Sequence, residues 1–380
     1  MDESESLDSY PNLVGIILNG RYLVIDEIGQ GSFSIVWLVF NIHNHKYYAV
    51  KIYEADYTKY ALLEIEIMNK FTDDDINILN KYVDTFTIDK EVHIVFNLMA
   101  GSLYEMIHSG LSIEHTKLIV YKVINALKKL HEYGYIHTDL KPENILASGT
   151  ASNITHIINT LEQNKRFKKC VQQYTTAKPN KKKDLAVELE NIVIDIADNI
   201  IKIDDNIVNG DLNNTLLSDF GNCKNADHSK YNIQTLCYRA PEIILGYKYD
   251  YRCDVWSIGC LIYELLTGSL LFDPERSEYE NGKRKLLIQY INHLGPIPDY
   301  LIKQSKKGSV YFRNDGSMKT STKMEYTPVD KKVRHALHNH DISELDEIID
   351  FLHKVFEYDP FNRPSFDDCL NHPWFKNLNI

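Results

Sequence analysis

His137-Thr138-Asp139-Leu140-Lys141-Pro142-Glu143-Asn144 puts a carboxylate, a lysine and an amide within six positions, Asp139 to Asn144. Asp139 can accept a proton from a substrate hydroxyl, Lys141 can neutralise a transferring phosphoryl group, and Asn144 can supply an oxygen to a metal ion. Taken alone, the run is also compatible with a polar turn before the strand Ile145-Leu146. The decision rests on whether the other parts of one machine stand in order along the chain.

They do. The run resembles the catalytic loop of protein kinases, H-R-D-x-x-x-x-N, with Thr138 in place of the loop arginine. Upstream, 22–29 reads as a strand, Gly29-Gln30-Gly31-Ser32-Phe33-Ser34 as a turn, and 35–41 as a second strand. The turn resembles a kinase glycine-rich loop over the ATP phosphates, with Ser34 replacing the third glycine. Glycines let backbone N–H groups approach phosphate oxygens with no Cβ in the way. Ala49-Val50-Lys51 follows on a third strand. The resemblance implies that Lys51 pairs with the α- and β-phosphates and that Ile28, Gly29, Gly31, Ser34, Val36 and Ala49 line the nucleotide. A strand lysine is ordinarily a solvated edge residue, so a glutamate partner on the next helix is the discriminator. Residues 59–70 read as that helix, with Ala61, Ile65 and Met68 on one face. Glu64 and Glu66 are both candidates, and the kinase register favours Glu64. Strands at 82–88 and 92–98 lead to Phe96-Asn97-Leu98-Met99, the expected gatekeeper and hinge, where adenine would use the backbone of Asn97 and Met99.

A long helix is expected over 113–133, since Ile119, Val123, Leu127 and Leu130 recur at helical spacing. By the resemblance, Asp219-Phe220-Gly221 supplies Asp219 to Mg²⁺ beside Asn144, and Phe220 packs beneath the helix carrying Glu64. His137 is expected to pack behind the site. Asp219 lies 75 residues after Asn144. The intervening insert, 148–214, has basic runs at Lys165-Arg166-Phe167-Lys168-Lys169 and Lys181-Lys182-Lys183, then an acidic, Ile-rich stretch over 188–211. It is expected to be a solvated, partly disordered excursion, removable without loss of fold. A sharper reading makes Lys178-Pro179-Asn180-Lys181-Lys182-Lys183 an import or docking signal. The short segment up to Ala240-Pro241-Glu242 holds Ser229, Tyr231 and Thr235 as candidate phosphosites, with Arg239 as a candidate phosphate partner. Asp254 should hold the catalytic-loop backbone from a buried helix running to Leu266, and Arg363 should pair with Glu242. Residues 276–340, rich in Lys, Gly and Ser, read as a second insert. Ser343-x-x-Asp346 reads as a capping box, followed by the core residues Leu345, Ile348, Ile349, Leu352, Val355 and Phe356.

Composition is compatible with this reading. A hydrophobic fraction of 44% suffices for a sizeable core in 380 residues. The net charge of −11 argues against a nucleic-acid footprint over the whole surface. Six cysteines without a C-x-x-C pair suggest reduced thiols. No apolar run approaches a membrane span, and the acidic start Met1-Asp2-Glu3-Ser4-Glu5 is no secretory or transit signal. An intracellular monomer of the cytoplasm and/or nucleus is expected, with no membrane or direct nucleic-acid partner.

Across about residues 21–376 the chain resembles eukaryotic-type Ser/Thr protein kinases of the CMGC group, and within it the SR-protein kinase family. The supporting residues are Ser34, Trp37 and Leu38 at the phosphate loop, Tyr57-Thr58 and Ala61-Leu62 before Glu64, and His137-Thr138-Asp139. The long spacer, Gly221-Asn222, Ile233-Gln234-Thr235, and Tyr311-Phe312 with Gly316 add to them. LAMMER kinases share His-Thr-Asp, but their name-giving motif is absent near 283–289. The resemblance implies an α+β bilobal kinase fold: an acidic leader 1–20, a small antiparallel β-lobe with one main helix over 21–98, and a mainly helical lobe over 102–376. It also implies ATP and Mg²⁺, protein substrates accepting phosphate on Ser or Thr, and Arg/Ser-rich targets. Three departures stand against that last point. Leu236 replaces an arginine, Ala240-Pro241-Glu242 replaces Ser-Leu-Glu, and 276–340 is net basic where an Arg-rich peptide would favour acidic surface. A non-catalytic scaffold would require loss of Lys51, Asp139, Asn144 or Asp219, and none is lost.

Overall fold

The structure is a computed structural model and describes residues 11–31, 33–199, 210–225, 232–274, 279–322, 324–376 and 378. Its early strands are β1 (Ile17–Leu18), β2 (Tyr22–Gln30), β3 (Ser34–Asn41) and β4 (Lys46–Tyr53). Helix α1 (Thr58–Met68) precedes β5 (Tyr82–Ile88), β6 (Glu91–Asn97) and β7 (Gly101–Ser102). Then come α2 (Ile113–Glu132), β8 (Tyr135–Ile136), β9 (Ile145–Ser148), α3 (Ser152–Gln163), α4 (Lys165–Thr176) and α5 (Pro179–Asn199). Strands β10 (Asp211–Leu217) and β11 (Lys224–Asn225) lead to α6 (Pro241–Leu245), α7 (Arg252–Thr267) and α8 (Tyr279–Leu294). The chain closes with α9 (Asp299–Gln304), α10 (Gly308–Tyr311), α11 (Val329–Ala336), α12 (Ile342–Val355) and α13 (Phe366–Leu370). The strands and helices expected from periodicity recur within one or two residues.

Two compact units divide the chain. The first contains the chain up to Ile65, Lys81–Ala100 and the helices α3–α5. Its antiparallel sheet has the order β1-β2-β3-β4-β6-β5. Alternate residues of a strand leave opposite faces. Tyr22, Val24, Trp37 and Val39 accordingly join Val50, Ile52 and Val95 in one cluster. Leu23, Ile25, Leu38 and Phe40 enter another. That second cluster corrects the expectation of a solvated insert. Ile154, Ile157 and Leu161 of α3, Phe167, Cys170, Val171 and Tyr174 of α4, and Leu189, Ile192, Val193 and Ile196 of α5 are all buried in it. Their three- and four-residue spacing is that of amphipathic helices, and Phe167 meets Phe40 edge to face at 5.4 Å. The insert is thus the cover of one face of the sheet. Lys178, Lys181 and Lys183 stand exposed at the start of α5, so the basic run is a helical surface and not an extended tail.

The second unit contains Glu66–Asn80, Gly101–Ser148 and the chain from Gly210 onwards. Helix α7 is buried almost all round, with Trp256 fully enclosed between Tyr290, Phe356 and Phe272. Tyr290 belongs to α8, whose Leu286 and Leu287 are also fully buried. Leu286, Leu287 and Tyr290, expected to lie in a second insert, are therefore core. The expected capping box fails too. Helix α12 starts two residues earlier than that box requires and is capped by Asp341, which accepts from the Ser343 and Glu344 N–H groups, while Asp346 pairs with Arg334. The guanidinium of Arg363 is bidentate to buried Glu242, at 2.7 and 2.6 Å, as expected.

These contacts lead to a stability prediction. Leu161→Ala should lower the unfolding free energy by about 3 kcal/mol, because it opens a cavity against the sheet. Replacing 152–209 with a short Gly/Ser linker should lower the melting temperature sharply, since it bares Leu23, Leu38 and Phe40. Urea and thermal unfolding of both variants check this; a melting temperature unchanged by the deletion would refute it.

Candidate active site

In the first unit, β2 and β3 form the glycine hairpin, with Gly29 opposite Val36 and the Gly31 N–H donating to Ser34 O at 2.8 Å. A Cβ on Gly29 would meet Val36 at 3.7 Å, and one on Gly31 would meet Ser34 O at 3.6 Å, which are ordinary contacts. The chain's own packing does not demand glycine at either place. What glycine preserves is open access to the loop backbone, as close approach of a phosphate requires. The ring of Phe33, next in the hairpin, stacks on Tyr60 at 4.8 Å and tilts against Tyr57, tying the loop to the start of α1.

Val36 pairs with Lys51 across β3 and β4, and Ala49 lies between Leu38 and Phe96. Ile28 and Leu98 pack on the insert cluster, Asn97 is exposed, and Met99 is half-buried. Lys51 Nζ donates to both carboxylate oxygens of Glu64, at 3.0 and 3.3 Å. Glu64 is therefore the partner, and Glu66 instead accepts from the Tyr135 hydroxyl at 2.7 Å in the second unit.

In the second unit, β9 and β10 are antiparallel with Ile145 opposite Leu217. One residue further, the Ser218 N–H donates to Asn144 O at 2.9 Å. This pairing brings Asn144 and Asp219 together although Asp219 lies 75 positions further along the chain. Asp219 sits in the left-handed region at φ 64°. Phe220 packs on Phe71, just past the end of α1, at 5.1 Å.

The catalytic-type loop hangs on one buried carboxylate. Asp254 accepts from the His137 N–H at 2.9 Å and the Thr138 N–H at 3.0 Å, and burial pushes its pKa up to about 6. Thr138 holds φ 66°, a conformation costing a β-branched residue on the order of 1–2 kcal/mol. Its hydroxyl donates to Asn222 O at 2.9 Å, directly after the Asp219-Phe220-Gly221 run. His137 is fully buried, with Nε2 on Ser218 O at 3.1 Å, so it packs behind the loop as expected.

Asp139 is held from three sides. Lys141 Nζ lies 3.2 Å from Oδ2, the Thr235 hydroxyl donates to Oδ1 at 2.6 Å, and the Asn144 amide donates to its backbone oxygen at 2.7 Å. Lys141 also donates to Thr235 Oγ1 at 3.3 Å. Thr235 thus belongs to the constellation, not to the phosphosites suggested by its position in the sequence. Ser229 and Tyr231 lie outside the described residues. Arg239 is also reassigned: it is buried and donates to Gln234 O at 3.0 and 2.6 Å, so it is no exposed phosphate receptor.

The segment before Ala240 is anchored again where the Tyr238 hydroxyl donates to Glu264 at 2.6 Å. Burial pushes Glu264 up to about 7 despite that bond. A raised folded-state pKa means stability that is present at low pH and is lost as pH rises through about 7. From about pH 5 to about pH 8, the wild type should therefore lose on the order of 2 kcal/mol relative to Glu264→Gln, which keeps an acceptor but cannot ionise. Urea unfolding of both proteins at the two pH values reads it; parallel curves would refute it.

The protein kinase domain model matches residues 22–178 and 187–375. The serine/threonine-protein kinase SRPK of Physarum polycephalum is 26% identical over 97% of this chain and 89% of its own length. The dual specificity protein kinase CLK4 of Homo sapiens is 28% identical over 96% of this chain and 68% of its own. These identities do not separate the two groups. A crystal structure of a kinase domain matches with a TM-score of 0.69 at 26% identity, covering 95% of this chain and 97% of that one.

Proposed function

The chain belongs to the protein kinase domain family, among SR-protein-kinase- and CLK-like serine/threonine kinases, and we propose that it transfers the γ-phosphoryl group of ATP to Ser or Thr hydroxyls of protein substrates. The observation that carries this reading is the three-sided hold on Asp139 by Lys141, Thr235 and Asn144. Asp139 orients the incoming hydroxyl and takes its proton as the new O–P bond forms and ADP leaves. Lys141 offsets charge on the transferring group. Lys51, kept in place by Glu64, pairs with the α- and β-phosphates. The backbone of Gly29, Gly31 and Ser34 lies along the phosphates, with Ile28, Val36 and Ala49 against the base and Asn97 and Met99 offering backbone groups to it.

Asn144 and Asp219 fit an Mg²⁺ ion. Both offer oxygen, the Asn144 Nδ2 is turned into the loop, and a hard cation of this kind takes few protein ligands beside substrate phosphates. When bound, such an ion neutralises phosphate charge. The protein acts as a monomer in this reading. Among the described residues, no helix is long and apolar enough to cross a membrane.

An Arg/Ser-rich substrate rests on the resemblance alone. Exposed Lys303, Lys306, Lys307 and Lys319 put positive charge on the α9–α10 region, which opposes an Arg-rich docking peptide. A positional-scanning peptide library with Mg·ATP separates Arg-flanked, Pro-directed and acidic preferences.

Asp139→Asn should cut turnover by at least about a hundredfold while leaving ATP binding within about twofold, because Asp139 acts on the hydroxyl and not on the nucleotide. Asp219→Ala should abolish metal-dependent ATP binding. Wild-type protein that binds Mg·ATP but phosphorylates no protein or peptide would favour a scaffold.

Basal activity should not need phosphate on the segment after Asp219. Thr138 carries no charge for a phosphate and already bonds Asn222 O, and Arg239 is occupied. Bacterially made protein, treated with phosphatase and shown unmodified by mass spectrometry, should phosphorylate substrate without a lag. A lag that tracks modification of Ser229, Tyr231 or Thr235 would overturn this.

A further inference from the structure

Lys51 and Tyr53 stand two residues apart on β4, so their side chains leave the same face of the sheet. Glu64 reaches them from α1. Its Oε2 accepts from Lys51 Nζ at 3.0 Å and also from the Tyr53 hydroxyl at 2.7 Å. Tyr53 is 2% exposed and Glu64 1%. Lys51 Nζ also lies 4.8 Å from the Tyr53 ring centroid, close enough for a cation–π contact.

We propose that Tyr53 is a positioning residue that keeps Glu64, and with it α1, docked on the strand carrying Lys51 whether or not nucleotide is bound. The inference rests on the phosphotransfer reading above. A buried carboxylate is costly to leave without partners. When Lys51 turns part of its charge towards phosphate, the Tyr53 hydroxyl still satisfies Glu64, so α1 has no electrostatic reason to leave. The lysine–glutamate pair is thereby assembled before ATP arrives, and no partner protein is needed to press α1 into place. The bond also holds the Glu64 carboxylate in the orientation in which both of its oxygens reach Lys51 Nζ.

Tyr53→Phe tests this in the full chain, because it keeps the ring and its packing and removes only the hydroxyl. The value of kcat/KM for ATP should fall about tenfold, as expected for one lost hydrogen bond to a charged group. The melting temperature should stay within about 2 °C. The same change made in a Glu64→Ala background should have less than about a twofold effect, since the hydroxyl then has no carboxylate to hold. ATP dissociation constants, measured directly for all four proteins, should follow the same pattern. An unchanged kcat/KM and ATP affinity for Tyr53→Phe would overturn the proposal. So would an equal loss in both backgrounds, or a loss that merely follows a fall in melting temperature. If the wild type binds Mg·ATP without transferring phosphate, the phosphotransfer reading fails, and the four dissociation constants still decide the role of Tyr53. If it binds no ATP, both fall.

Discussion

A single buried carboxylate, Asp254 on α7, sets the geometry of the loop that carries Asp139. It takes the backbone N–H groups of two consecutive residues, His137 and Thr138. A β-branched residue does not rest at positive φ unaided. The two hydrogen bonds, in a place where neither N–H could turn to water instead, outweigh that cost and keep Thr138 in the strained conformation. From there its hydroxyl reaches Asn222 O, while the loop turns Asp139 towards Lys141 and Thr235. Asp254 is itself held by packing, because α7 is enclosed on nearly every side, with Trp256 at the centre of an aromatic cluster. The chemistry of the loop therefore depends on the rigidity of a helix that takes no part in it.

A second constraint is the antiparallel pairing of β9 with β10. Strand pairing needs only that the two ends meet, and the cost of closing a loop grows slowly with its length. The insert can therefore leave after Ser148 and return at Asp211 without moving Asn144 from beside Ser218. What the insert does with its own apolar residues is a separate matter. It lays them on the face of the sheet that carries Leu23, Ile25, Leu38 and Phe40, beside Ile28 and Leu98. Strands β2 and β3 thus share a core with a segment that contributes nothing to the chemical motifs.

A trace of that arrangement was readable in advance. Ile35-Val36-Trp37-Leu38-Val39-Phe40 is apolar without alternation, the mark of a strand covered on both faces. Such a strand needs cover on both faces, and the insert supplies it over Leu38 and Phe40. In the insert Ile154, Ile157 and Leu161 stand at helical spacing, but the lysine runs and the acidic stretch that follows have the composition of a solvated chain. Charge pattern says which residues face water and does not say that the remainder lacks a partner. Residues 276–340 read as an insert because Lys, Gly and Ser dominate them, yet Leu286, Leu287 and Tyr290 are fully buried and Tyr290 packs against Trp256.

The local sequence by itself carried the motifs of the protein kinase family in their order along the chain. Short separations along the chain, such as Asp139 to Asn144, are fixed by covalent connectivity, whereas where those groups come to lie depends on the packing around them. The local sequence also determined most strands and helices, through periodicity. Only the tertiary structure decided between Glu64 and Glu66, moved Thr235 from the phosphosites to Asp139, gave Arg239 to Gln234 O and brought Tyr53 to Glu64. Each of those outcomes is a choice among polar groups of similar chemistry. The choice is made by which one burial leaves within hydrogen-bonding distance, and that distance depends on how elements far apart in the chain pack together.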